Sequence, residues 1–410
     1  MSPVFLAISL VFTLGACDDG AVDPGADAGG SDGGSTRRDG GATGSDGGGE
    51  SDAGTGTDAG PPGPSTVPVI VAVGRGGRST ISCDDGRTWI ENRIETADTV
   101  RCWGQPSGAE PEFLDPPANT MPNPNYLECD HDTGNSTGLV FHRGLFIRSI
   151  GWGTPGRTQR SVDGVTWEDV PSFDETYNGL IAFDDALVAM GTPQPFFSLD
   201  EGLTWEMTSA TLGWDSGHVR SATSSGYGAM GSIVFYTDMG YWWSDDRGAT
   251  YHGPDSIPCD GRDFASSDDV TIVLSGDGSI CTTLDGGMTW TSQPVATSFS
   301  TNPVWNGTAF HAWGMQGSNY THFSSPDGVT WSEALLMRVN VAIVGATTTG
   351  AMVGVNGIWN GGYENQRMFR TDDGDSWETL PTDGTAFVQS HAISDFASGL
   401  VPPNAYCPGT

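Results

Sequence analysis

Seven times the chain writes a hydroxyl residue, an acid, a glycine and a closing aromatic in the same order. The copies are SCDDGRTW (Ser82 to Trp89), SVDGVTW (Ser161 to Trp167), SLDEGLTW (Ser198 to Trp205) and SDDRGATY (Ser244 to Tyr251). TLDGGMTW (Thr283 to Trp290), SPDGVTW (Ser325 to Trp331) and TDDGDSW (Thr371 to Trp377) complete the set. The closing aromatics are 78, 38, 46, 39, 41 and 46 residues apart. Between them lie short β-rich runs, such as VPVIVAVG and GLIAFDDALVAMG, separated by Gly, Asp and Asn turns, with no long helical period. A period near 40 residues with four short strands per repeat predicts the blades of a β-propeller. The expected fold is all-β and seven-bladed, and Trp103 to about Asn135, within the long first interval, is read as one insertion between blades.

Each copy reads as a hairpin turn between the outer strands of a blade. Its Asp accepts backbone N–H groups across the turn, and its Gly takes a positive φ. Its aromatic packs between blades. This makes Asp84, Asp163, Asp200, Asp246, Asp285, Asp327 and Asp373 scaffold acids, because seven copies cannot all belong to one active site. In SDDRGATY the acid in that role is either Asp245 or Asp246.

The motif Ser/Thr-x-Asp-(x)-Gly-x-Thr-Trp resembles the Asp box, or BNR repeat, of sialidase-like propellers, and the resemblance covers Val67 to Leu400. It implies the propeller fold and raises the expectation of glycan hydrolysis. Sialidases set three arginines on the substrate carboxylate, pair a Tyr nucleophile with a Glu, use an Asp acid/base, and carry an Arg-Ile-Pro motif. The first blade here reads VAVGRGGRST, and Arg-Ile-Pro is absent from the sequence. Arg75, Arg220, Arg262 and Arg338 are present, and Tyr177 follows Glu175, but they do not fall in the family's pattern. The expected function is therefore a non-catalytic binding module for a glycan or protein ligand. A sialidase-like or other glycan hydrolase is the alternative.

Closure follows from the chain ends. The first blade has only VPVIVAVG before its third strand, so it lacks an inner strand; SHAISDFASG (Ser390 to Gly399) has the pattern to supply it. That pairing leaves no open sheet edge in the ring. Six cysteines remain once Cys17 is set apart, an even number that in an exported chain suggests disulfides. The closure places Cys407 near blade 1, giving Cys83–Cys407; Cys102–Cys129 would staple the insertion, and Cys259–Cys281 would join strands of one blade.

Aligning the inner strands on the repeated turns yields one polar column: Thr137, Asn178, His218, Arg262, Asn302, Asn340 and His391. Two readings stand. The column is a ring of hydrogen-bonding groups at a channel mouth, suited to a sugar, a peptide or a small anion, or it satisfies only water and neighbouring backbone. His218 and His391 together would suit zinc, but without a clear third ligand the case is weak and no metal is expected. The insertion, with CDHD (Cys129 to Asp132), is a second candidate surface.

Upstream, Pro3 to Gly15 is an apolar run too short to span a bilayer comfortably, and Leu14-Gly15-Ala16-Cys17 resembles a bacterial lipobox. Residues 1–17 are thus expected to be a lipoprotein signal peptide with Cys17 as the lipidated residue. An ordinary signal peptide is the alternative. Residues 18–66 are Asp, Gly, Ala, Ser and Thr with almost nothing apolar, a composition that predicts a disordered tether before the propeller of 67–410. The Asp-Gly repeats suggest Ca²⁺, but their spacing matches no EF-hand loop, so no cofactor is expected. All 17 basic residues are arginine and the net charge is −34, which disfavours nucleic acid as a partner. A monomer held at the cell envelope by its lipid is expected, at the outer membrane or cell surface rather than the inner membrane.

Overall fold

The computed structural model describes residues 65–74, 78–93, 136–150, 157–170, 177–183, 185–191, 195–208, 219–225, 232–237, 240–246, 248, 250–256, 258–259, 261–336, 341–356, 367–381 and 393–409. These form seven small antiparallel sheets and no helix. Numbered along the chain and written from the inner strand outward, blade 2 is Ser136–His142, Leu145–Ile150, Arg157–Ser161 and Glu168–Asp169. Blade 3 is Tyr177–Ala182, Leu187–Gly191, Phe196–Ser198 and Glu206–Met207. Blade 4 is Val219–Ser225, Ser232–Thr237, Gly240–Ser244 and His252–Asp255, and blade 5 is Gly261–Ser266, Thr271–Ser275, Ser279–Thr283 and Thr291–Pro294. Blade 7 is Ile343–Ala346, Met352–Val355, Met368–Thr371 and Glu378–Thr379. Each inner strand touches the inner strands of the blades before and after it, so the seven close into a ring.

Blade 1 joins the two halves of the closure. Its inner strand is Ile393–Val401, paired antiparallel with Val67–Gly74 from Val67↔Val401 inward, followed by Arg78–Ser82 and Ile90–Arg93. Residues 390–392 of the expected strand lie outside the described residues. The disulfide Cys83–Cys407, with Cα atoms 5.5 Å apart, locks this blade, and Cys259–Cys281 ties blade 5. Cys102, Cys129 and the insertion lie outside the described residues.

Blade 6 departs from the pattern. Its inner strand is broken into Ser298–Phe299 and Val304–Trp305, both paired with Phe310–Gln316, ahead of Asn319–Ser325 and Ser332–Leu336. Ser300 N–H still donates to Trp313 O at 2.9 Å, and pairing resumes at Val304↔His311. Thr301, Asn302 and Pro303 therefore bulge opposite Ala312. Proline lacks the N–H that a ladder needs, so the break falls beside it.

The core lies in the joints between blades. Val71, Ile81 and Phe146 pack with Val165 between blades 1 and 2; Ala72, Trp89 and Val353 pack between blades 7 and 1. The repeated turn seals each joint from the rim. At Gly164, φ is 77° and an added Cβ would lie 2.5 Å from Val71 Cγ2 of the preceding blade, so only glycine lets the turn seat. Tyr251, Trp290, Trp331 and Trp377 fill the corresponding places between later blades.

Candidate functional site

The seven repeated acids come first. In every turn the opening hydroxyl donates to the Asp carboxylate at 2.8–3.0 Å. In the four longer turns, Asp84, Asp200, Asp246 and Asp285 each accept the backbone N–H of the Thr four residues on at 2.8 Å, and its hydroxyl at 2.6–2.7 Å. The three shorter turns use amides two and three residues on, to Asp163, Asp327 and Asp373, at 2.7–2.9 Å. Asp246, not Asp245, takes the role in blade 4.

Electrostatics agree with geometry. Burial pushes the Asp84 and Asp285 carboxyls up, but the hydroxyl and amide bonds from Thr88 and Thr289 outweigh it and leave both below the usual carboxylate range. Amide bonds from Thr330 and Val329 hold Asp327 down at about 2. These carboxylates are anions, each with Oδ1 bonded inside its own turn.

In the polar column, only Asn302 has a described side chain. Its amide closes on the inner strand of blade 7: Nδ2 donates to Val344 O at 2.9 Å, and Oδ1 accepts Val344 N–H at 2.9 Å. Asn302 thus binds neighbouring backbone. Thr137, Asn178 and Arg262 lie on inner strands, but their side chains lie outside the description, as do those of Arg220 and Tyr177. His218, Asn340 and His391 precede inner strands and are outside the described residues, as are Arg75, Glu175 and Arg338.

Three constellations stand out that the column did not contain. Asp395, half-buried on the innermost strand of blade 1, accepts Phe396 N–H at 2.8 Å and, from blade 2, Leu139 N–H at 2.9 Å. Burial pushes its carboxyl up to about 7 against the pull of those two donors. Between blades 7 and 1, buried Arg370 donates to Asp85 Oδ2 at 2.6 Å, to Asp85 O at 2.7 Å and to Asp372 at 2.7 Å. Thr347 and Thr349 hydroxyls complete the Asp85 carboxylate. Between blades 6 and 7, Asp375 Oδ1 lies 2.7 Å from His322 Nδ1, and His322 Nε2 lies 2.8 Å from His311 Nδ1. An arginine where the strand alternation calls for an apolar residue is the sequence signal for Arg370; the histidine pair emerges only from cross-strand register. Asp395 carried no such signal, since its strand is half-exposed along most of its length.

A cavity of ≈ 10 Å³ lies in blade 6 between Ser300, Thr301, Trp313, Tyr320 and Val341. It has room for about one water and none for a sugar or peptide. Among the described residues no group of three or more His, Cys, Asp or Glu is gathered to hold a metal ion.

No protein family and no curated protein matches the chain. Solved structures do. YCF48 from Cyanidioschyzon merolae is 13% identical with a TM-score of 0.44, over 64% of this chain and 89% of that one. A catalytically inactive virginiamycin B lyase from Staphylococcus aureus with Quinupristin is 12% identical, TM-score 0.48, over 67% and 96%. A chain of the Mitotic Checkpoint Complex is 9% identical, TM-score 0.48, over 70% and 84%. The likeness is one of fold. The seven-bladed architecture itself rests on the strand pairing above.

Proposed function

We propose that the chain is a lipid-tethered β-propeller of the bacterial cell envelope that binds a glycan or protein ligand at its channel-mouth loops without turning it over. One observation carries the reading: all seven repeated carboxylates are committed to their own turns. The acids that dominate the sequence motif are then scaffold, and recognition falls to the inner-strand starts and the insertion of residues 103–135. The apolar run ending at Cys17 and the Asp/Gly-rich segment 18–66 support an acylated cysteine on a long tether.

A glycan hydrolase is the second reading. Asp395 favours it, because a carboxyl held near neutrality on the channel wall has the protonation a general acid needs.

Residues 67–410, applied to a glycan and peptide array beside a fluorogenic sialoside, separate the two. Binding without turnover is expected. Turnover abolished by Arg262→Ala or Asp395→Asn would sink the binding-only reading. Labelling of the full chain with a radioactive fatty acid, lost in Cys17→Ser, tests the anchor.

A further inference from the structure

The joint between blades 6 and 7 is built unlike the others. At blades 1–2 and 5–6 the turn glycine of the later blade seats on apolar side chains of the earlier one: Gly164 on Val71 and Ile81, Gly328 on Val270 and Ile272. At this joint Gly374 seats on an imidazole, and a Cβ there would lie 2.4 Å from His322 Cε1. His322 and His311 are 3% and 6% exposed. Their rings stack with centroids 5.0 Å apart, and Trp313 stacks on both at 5.2 and 6.1 Å.

The hydrogen bonds have one consistent neutral assignment. Asp375 as a carboxylate accepts from His322 Nδ1–H; His322 Nε2 then accepts from His311 Nδ1–H. His311 Nε2 is left as a buried lone pair with no partner. Trp313 Nε1 takes the carbonyl of Gly374 at 2.9 Å, the bond that Trp290 and Trp331 make to their own turn glycines, so Trp377 Nε1 is also buried without a partner. The bulge at Thr301 to Pro303 sits in the same blade, and Thr301 Oγ1 is a third such atom. This joint and the blade beside it gather three such atoms around a buried histidine pair, whereas the joint between blades 1 and 2 holds one, Trp167 Nε1.

Protons change the assignment stepwise. A first proton is tolerated. His322 becomes a cation against Asp375, donating through Nε2 to His311, whose own proton shifts to Nε2. A second proton is not tolerated, since His311 Nδ1–H would then face His322 Nε2–H, donor against donor, beside a second buried charge. The groups facing the pair offer no further relief. From blade 7 they are Asp375 and Asp373 in the turn, and none among the described residues of strands Ile343–Ala346 and Met352–Val355. On blade 6 itself Tyr320 is the described titratable group on the same strand face, and Glu333 on the outer strand is bonded to Gln316 at 2.9 Å.

We propose that the Asp375–His322–His311 chain is a proton-binding site that loosens the joint between blades 6 and 7 when the surroundings acidify. Burial, then the charge of His322, pushes His311 down to about 4, in keeping with that order of events. A histidine held neutral in the fold stabilises it above the unfolded value near 6.5. That contribution is lost as pH falls toward 4. Asp395 has the opposite sign over the same range but sits between blades 1 and 2, so a local readout separates them.

Hydrogen exchange of the full chain, followed by peptide at pH 7.0, 5.5 and 4.5 and corrected for intrinsic rates, is the test. Amides of 310–325 and 343–355 should lose at least tenfold protection across that range while blade 3 changes little. Asp375→Asn removes the counter-charge that tolerates the first proton, so the loss below pH 6.5 should be steeper than in the wild type. A loss spread evenly over all blades would overturn the proposal, as would an Asp375→Asn profile superimposed on the wild type.

Discussion

Glu201 holds its backbone at φ 62°, in the left-handed region, one place before Gly202 at φ 82°. The corresponding residue in another long turn is Gly286, at φ 68°. A side chain in that region costs about 1 kcal/mol over glycine. Glu201→Gly should therefore stabilise the fold by at most about 0.5 kcal/mol, after glycine's greater freedom in the unfolded chain is counted; urea denaturation reads it. Asp85 has the same backbone, φ 65°, but there the carboxylate anchors Arg370. Arg370→Ala leaves the half-buried Asp85 carboxylate with the exposed Arg87 and two threonine hydroxyls, and should cost about 2 kcal/mol by the same measurement. The strain of a left-handed residue thus has a use at one turn and none evident at the other. A third residue-scale outcome concerns protonation. Asp327→Asn keeps an oxygen for the Val329 and Thr330 amides but cannot ionise. A depressed carboxyl stabilises the fold above the unfolded value near 3.8, and the effect fades as pH drops toward about 2. The variant should be less stable than wild type at pH 6 and equal to it near pH 2, by thermal midpoints.

At the scale of elements, the turn motif was legible because it does one job seven times. It marks the hairpin outside each third strand, and its acid, hydroxyl and glycine are each needed for that hairpin. Counting copies counts blades. The inner strands were less legible. Asn302-Pro303-Val304 carries the same polar-then-apolar lettering as its neighbours, yet the missing N–H of Pro303 breaks the strand, and the Asn302 amide bonds Val344 across the joint instead. The histidine pair escaped notice for a related reason. FHAW and YTHF read as ordinary alternation, and only cross-strand register brings His311 and His322 within 2.8 Å. Register is decided by pairing, which no single strand's letters contain. Disulfides belong to this scale too. In the chain-entropy picture Cys83–Cys407, 324 residues apart, contributes about 6 kcal/mol, and Cys259–Cys281, 22 apart, about 3. Cys407→Ser should therefore lower the thermal midpoint more than Cys259→Ser does.

For the whole molecule, the closing blade fixes how the propeller would answer a pull. Whatever lies upstream of Val67 is attached to the second strand of blade 1, which is gripped on one side by Ile393–Val401 and on the other by Arg78–Ser82. Force applied at Val67 runs along that strand and loads the ladders on both sides. Should the strand tear free, the unravelling can travel only as far as Cys83. There the bond to Cys407 turns the remaining chain into a covalent hoop, and tension passes through sulfur instead of through the blades. The propeller can lose the two strands before Cys83 to a tug and keep its other six blades closed off from the load. Under reducing conditions the same tug would find an open chain.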